Sequence, residues 1–148
     1  MAHEHELDEL QLSTVASDHA LRPRHWGHPE AWSGHARIKG PCGDTMEFWV
    51  DVESGRVRRT SYVTDGCGSA RACGDMAAEL SEDRSLDDTL ALEQADILEA
   101  LGGLPAATEH CALLAANTLH AACRDSLRGR SEAGAQGDGE RGIEEDTR

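Results

Sequence analysis

The chain has 148 residues and a net charge of −14, and it is 39% hydrophobic with only 3% aromatic residues. That length suits one domain with tails, and its core has to be built mainly from Leu, Ala, Val and Met. The charge argues against nucleic acid and anionic membrane surfaces as partners, because both repel a polyanion, and no run of about 20 apolar residues is present to cross a membrane.

The opening "MAHEHELDELQL" is acidic and lacks the basic end and apolar stretch of a signal peptide, so a cytoplasmic protein is expected. In that compartment the five cysteines are expected as thiols or metal ligands, not disulfides. Residues 5–20 suit a short amphipathic helix with Leu7, Leu10 and Leu12 on one side, so residues 1–20 form an N-terminal approach. "RPRHWGHPEAW" reads as loop. "HARIKG" is the first strand. In "DTMEFWVDVE", Met46, Phe48, Val50 and Val52 alternate with polar or exposed positions, as in a half-buried strand. Ser54-Gly55 makes the turn into "RVRRTSYVTDG", a third strand whose alternation puts Tyr62 and Thr64 on one face and Val57 and Val63 on the other.

After Gly68 the pattern becomes helical. "SARACGDMAAEL" is Ala-rich, Ser85 caps a short acidic helix, and "EQADILEALGG" ends a further one in two glycines. Pro105 precedes a long helix over "TEHCALLAANTLHAACRDSLRGR". Residues 131–148 are rich in Gly, Glu and Asp without apolar periodicity and read as a disordered acidic tail. The folded unit is therefore residues 21–130. It is expected to be an α+β two-layer sandwich, a three-stranded antiparallel sheet with helices packed on one face.

Cys42, Cys67 and Cys111 all lie at element ends, flanked by Gly, Asp and His, where side chains can converge. Cys67 and Cys111 open helices, a position that favours thiolate. On its helix Cys73 is rotated roughly 120° from Cys67, and Cys123 similarly from Cys111, so both are assigned to the core. Asp44, two residues after Cys42, and His110, beside Cys111, complete the candidate set. His3, His5, His25, His28 and His35 have no neighbouring cysteine and are not assigned metal.

Three thiolates with one oxygen or nitrogen donor suit tetrahedral zinc or the iron of an iron–sulfur cluster, and spacing does not separate the two. Each ligand comes from a different element, unlike a zinc ribbon. An oxygen donor binds iron less tightly than a thiolate, so Asp44 would make one corner labile, as a site that releases its cluster requires.

The ordered pieces "DHALRPRHWG", "GPCGD", "DGCGSA" and "HCALLA", from Asp18 to Leu127, resemble the IscU/NifU N-terminal family of iron–sulfur cluster assembly scaffolds. The resemblance implies cluster ligands at Cys42, Cys67 and Cys111, with Asp44 and His110 as the exchangeable fourth group. It implies a [2Fe–2S] cluster, with zinc able to occupy the empty site, and a cysteine desulfurase whose persulfide sulfur is accepted by Cys111. Apo iron–sulfur proteins are the implied recipients, and a homodimer is one of the oligomeric states left open. Members served by a dedicated Hsp70 chaperone carry Leu-Pro-Pro-Val-Lys before His-Cys. Here the stretch is "LPAATEHC", with Thr108 in the lysine's place, which puts that chaperone in doubt. The alternative is a zinc-containing SufU-like sulfurtransferase. That branch carries an insertion between the second and third cysteines and lacks the histidine, whereas this chain has His110 and fills Ser81–Gly103 with the expected helices.

Overall fold

The computed structural model describes residues 12–131 and 143–146. Leu7 and Leu10 of the expected N-terminal helix lie outside them. The fold is α+β. Strands β1 (Gly34–Lys39), β2 (Thr45–Glu53) and β3 (Arg56–Thr64) form an antiparallel meander. Ser54 and Gly55 join β2 to β3 with φ of 54° and 76°, the paired positive values of a turn whose twist matches the strands it connects.

Met46, Phe48, Val50 and Val52 of β2 are buried in one core, as their alternation predicts. The third strand departs from its expected facing. Val52 pairs with Val57 but Asp51 pairs with Arg59, which leaves Arg58 as an extra residue in the ladder. This bulge resets the alternation, so Val57, Thr60 and Tyr62 all face the core. A period-2 reading splits Val57 from Tyr62 because the bulge carries no glycine or proline to announce it.

Among the described residues five α-helices complete the domain: α1 (Thr14–Leu21), α2 (Gly68–Ser81), α3 (Leu86–Leu90), α4 (Gln94–Leu101) and α5 (His110–Ser131). Their starts follow side-chain chemistry. Ser13 and Ser85 accept backbone N–H bonds at the N-termini of α1 and α3, and Glu93 and Asp96 form a reciprocal cap on α4. Gly102 ends α4 in the left-handed conformation. Helix α5 packs across β1 and β2, while α2 packs on β3 and against both α1 and α5. The helices lie on one sheet face. On the opposite face Trp49, only 3% exposed, is covered by the rings of His28, Trp32 and His35.

A buried polar joint fixes the approach segment. The fully buried carboxylate of Asp75 on α2 lies 2.6 Å from His19 Nδ1 on α1 and accepts the backbone N–H groups of Arg24 and His25 at 2.9 Å each. The chain then runs along the outer edge of β3, where Tyr62 donates its N–H to His25 O and accepts from Gly27 N–H. Both sheet edges are thereby covered. On the β1 side, the N–H of His35 goes to Asp125 of α5, and Ile143–Asp146 pairs with β1 as a parallel fourth strand, β4. These four residues depart from the structureless reading of 131–148. The pairing uses the open backbone edge of β1, which side-chain periodicity does not report; the rest of that segment lies outside the described residues. No helix among the described residues is long and apolar enough to cross a membrane.

Candidate metal centre

Three chain junctions meet at one end of the sheet. The first is the β1–β2 turn. Gly40 donates its N–H to Asp44 O at 2.8 Å, Gly43 donates to Gly40 O at 3.0 Å, and Gly43 takes a φ of +92° that a side chain would resist. Cys42 sits exposed at the tip and Asp44 is half-buried at the base. The chain turns here, so the shared side that residues i and i+2 take in an extended strand does not apply to Cys42 and Asp44.

The second junction is "TDGC" between β3 and α2. It is tied to the first through the backbone of Thr45. The Asp65 carboxylate accepts the Thr45 N–H at 2.7 Å, and the Thr64 hydroxyl donates to Thr45 O at 2.7 Å while accepting the Gly66 N–H at 3.1 Å. Cys67 is the N-cap residue of α2, in extended conformation. Gly66 has no room for a side chain, since a Cβ there would lie 3.0 Å from Asp44 Oδ2 and 2.6 Å from the Ala70 Cβ.

The third junction is the start of α5, reached through a single turn of 3₁₀ helix at Ala106–Thr108. It carries His110 and Cys111, and Thr108 accepts a hydrogen bond from Ser69 of α2 at 3.1 Å. That bond braces the second and third junctions against each other.

The ligand atoms of Asp44, His110 and Cys111 all lie within 4.8 Å of one another. Cys111 Sγ is 3.8 Å from His110 Nε2. Cys67, like Cys42, lies outside that mutually close group, but the Cys111 thiol is near enough to act on it. The Cys111 thiol holds the Cys67 thiol down at about 5 against the opposing cost of burial, with help from the amides of Ala70 and Ser69 at the start of α2, although the sulfur closes no full capping bond. The same interaction, with burial, pushes Cys111 far above the ordinary thiol range. Of the two, Cys67 is the one that favours thiolate and Cys111 the one that keeps its proton. Opening a helix favours thiolate at both cysteines; what separates them is that Cys111 is 1% exposed.

The remaining cysteines and histidines have other surroundings. Cys73 and Cys123 are fully buried in the core, and burial pushes the Cys123 thiol up to about 12. His19 faces Asp75, His25 lies 3.5 Å from Glu82, His28 contacts the Pro29 carbonyl and His35 lies 2.6 Å from Glu47. His3 and His5 are outside the described residues. Sequence reading gave Thr64, Asp65, Ser69 and Thr108 no role at this centre. Their signal is only positional, since each lies within four residues of a candidate ligand and carries a short hydrogen-bonding side chain.

The donor set suits a metal ion: a carboxylate oxygen, an imidazole and a thiol sulfur lie together, with Cys67 and the exposed Cys42 on the adjoining junctions.

A family model described as the NifU-like N-terminal domain matches residues 11–132. The chain is 39% identical over 120 residues to an iron–sulfur cluster assembly scaffold protein IscU of Aquifex aeolicus, spanning 78% of this chain and 76% of that one. It is 34% identical over 121 residues to the IscU scaffold of Escherichia coli K12, spanning 78% and 94%. Among solved structures, a nitrogen-fixing NifU-like N-terminal protein from Brucella abortus superposes with a TM-score of 0.65 at 15% identity, covering 83% of this chain and 98% of that one. A protein described as a scaffold for the SUF system, from Fervidobacterium islandicum AW-1, gives 0.64 at 14% identity, covering 75% and 95%. The two structural matches show a shared fold.

Proposed function

The chain belongs to the NifU-like N-terminal domain family, and on that premise we propose that it is a scaffold that assembles a [2Fe–2S] cluster from iron and desulfurase-derived sulfur, then transfers it to apo-proteins. The observation that carries this reading is the meeting of Asp44, His110 and Cys111, with the Cys67 thiol acted on by Cys111, from three junctions far apart in sequence. A permanent structural site favours four closed donors. Here one donor is a half-buried carboxylate and one thiol, Cys42, stands exposed on a turn.

In this reading Cys42, Cys67 and Cys111 hold the cluster, and Asp44 or His110 fills the remaining position. Cys111 accepts sulfur. Its thiolate attacks the outer sulfur of the desulfurase persulfide, the S–S bond of that persulfide breaks, and the desulfurase cysteine leaves as thiolate. Before that step Cys111 gives up its proton, and the Cys67 thiolate is the base available to take it. The partners are then a cysteine desulfurase and apo iron–sulfur proteins, and the chain is a carrier, as its relatives' names describe for them.

The test is anaerobic reconstitution of the full chain with iron, cysteine and a cysteine desulfurase, read by visible absorption and by mass. An iron–sulfur chromophore that passes to an apo-ferredoxin supports the scaffold. Stoichiometric zinc in the protein as isolated from cells, with no chromophore after reconstitution, replaces it with the zinc sulfurtransferase.

A further inference from the structure

We infer that Asp65 is a positioning residue for the metal centre: its carboxylate, with the Thr64 hydroxyl, clamps the Thr45 peptide and so sets the distance between Asp44 and Cys67. The inference rests on the metal-binding reading above and extends it to residues that bear no ligand.

The argument starts from the ladder. Strand pairing between β2 and β3 ends with Met46 opposite Thr64. Beyond it β2 and β3 are not joined to each other by a sheet hydrogen bond of normal length, since Asp65 N–H reaches Thr45 O only at 3.4 Å. Side chains take over there. Asp65 Oδ1 takes the Thr45 N–H and Thr64 Oγ1 reaches Thr45 O, both at 2.7 Å. Both polar groups of one residue are thus fixed by two consecutive side chains from the other strand. Asp44 is the next residue on one side of this clamp, and Cys67 is two residues along on the other. The Thr64 hydroxyl also takes the Gly66 N–H, so the clamp continues into the residue against which the Asp44 carboxylate packs.

Asp65 is exposed and lies outside the mutually close ligand group. Its Oδ1 is taken up by the Thr45 N–H. It acts through Thr45, and the consequence is a carboxylate ligand held at fixed distance from the α2 sulfur. Partners that orient a metal ligand are worth roughly ten- to a hundredfold in metal affinity.

The experiment titrates Co²⁺ into reduced, anaerobic full-length protein. It follows thiolate-to-cobalt charge transfer for sulfur ligation and the d–d bands for geometry, with an unfolding midpoint measured on each variant. Asp65→Ala is expected to weaken Co²⁺ binding by about tenfold and to alter the d–d envelope at an unchanged midpoint. Asp65→Asn keeps an oxygen that accepts the Thr45 N–H, and it is expected to restore most of the affinity. Thr64→Val, which removes the second arm, is expected to weaken binding in the same direction. Wild-type affinity and d–d bands in Asp65→Ala would overturn the inference. So would Asp65→Asn as weak as Asp65→Ala, because the lost charge would then be the cause. Absence of charge transfer in the wild type itself overturns the metal-binding reading instead, which separates the two failures.

Discussion

The Asp44 carboxylate lies directly over Gly66, with Oδ2 3.0 Å from the point where a Cβ would stand. Two loops approach that closely because the second has no side chain at the contact. On its other side the same point is 2.6 Å from the Ala70 Cβ, on the first turn of α2. A methyl group at position 66 therefore meets a rigid helix on one side and a candidate ligand on the other. Gly66→Ala is expected to push Asp44 away from Cys67, at a stability cost of about 1–3 kcal/mol from overpacking. Denaturant titration with zinc-binding calorimetry checks it: affinity should fall more than the stability change accounts for.

The buried joint between α1 and α2 gives a prediction about stability alone. Asp75 receives His19 Nδ1 and two backbone N–H groups, and it is fully buried. Asp75→Ala leaves the buried His19 Nδ1 and the part-buried N–H groups of Arg24 and His25 without this partner. A loss of about 3–5 kcal/mol is expected, the range for breaking a buried pair. Asp75→Asn retains an acceptor oxygen and is expected to lose less. Urea midpoints of the two variants against wild type provide the measurement, and equal stability of Asp75→Ala and wild type would show that the joint contributes nothing.

Thiol accessibility separates the five cysteines without any metal. Cys42 is exposed, Cys67 half-buried, and Cys73, Cys111 and Cys123 are buried. Brief treatment of the reduced native protein with iodoacetamide, followed by peptide mass mapping, is expected to label Cys42 and Cys67 ahead of the three buried thiols, Cys42 for its exposure and Cys67 for its lowered thiol pKa. Cys73 and Cys123 are expected to react only after unfolding, since both are closed off and burial raises their thiol pKa values. Early labelling of either would place it outside the core.

Much of the fold is legible because local chemistry and tertiary role agree. Met46, Phe48, Val50 and Val52 announce a strand and are buried together, and Ser85 and Gly102 announce helix ends and sit at them. The exceptions depend on backbone geometry or on a distant partner. The bulge at Arg58 is set by register, and β4 by an open strand edge. At the candidate centre the sequence marks element ends. Cys67 does cap α2 and Cys111 does lie in the first turn of α5. It does not reveal that Gly43 turns Cys42 outward, nor that Cys67 and burial raise the Cys111 thiol while Cys67 is lowered. It also leaves Asp65 unremarkable, because the importance of that carboxylate depends on Thr45, twenty residues earlier in the chain.

The last prediction concerns Asp44 and the release of cargo. Transfer to an apo-protein requires an incoming thiolate to displace one ligand, and an oxygen donor is the easiest to displace. In Asp44→Ala that donor is gone, but His110 and Cys111 remain, and both side chains lie within 4.8 Å of where the carboxylate was. His110 is therefore placed to take the vacated position, and imidazole holds iron better than the water that would otherwise enter. Asp44→Ala is expected to assemble a cluster on reconstitution and to transfer it more slowly to an apo-ferredoxin, while Asp44→Ala/His110→Ala should lose that retention. Zinc behaves differently, since removing a ligand from a four-coordinate site lowers affinity outright. Transfer rate and zinc affinity are measured on the same variants. Transfer as fast as wild type in Asp44→Ala would remove the carboxylate's role as the labile corner, and a large loss of zinc with no cluster formed on any variant would make zinc, not iron, the cargo this centre is built to hold.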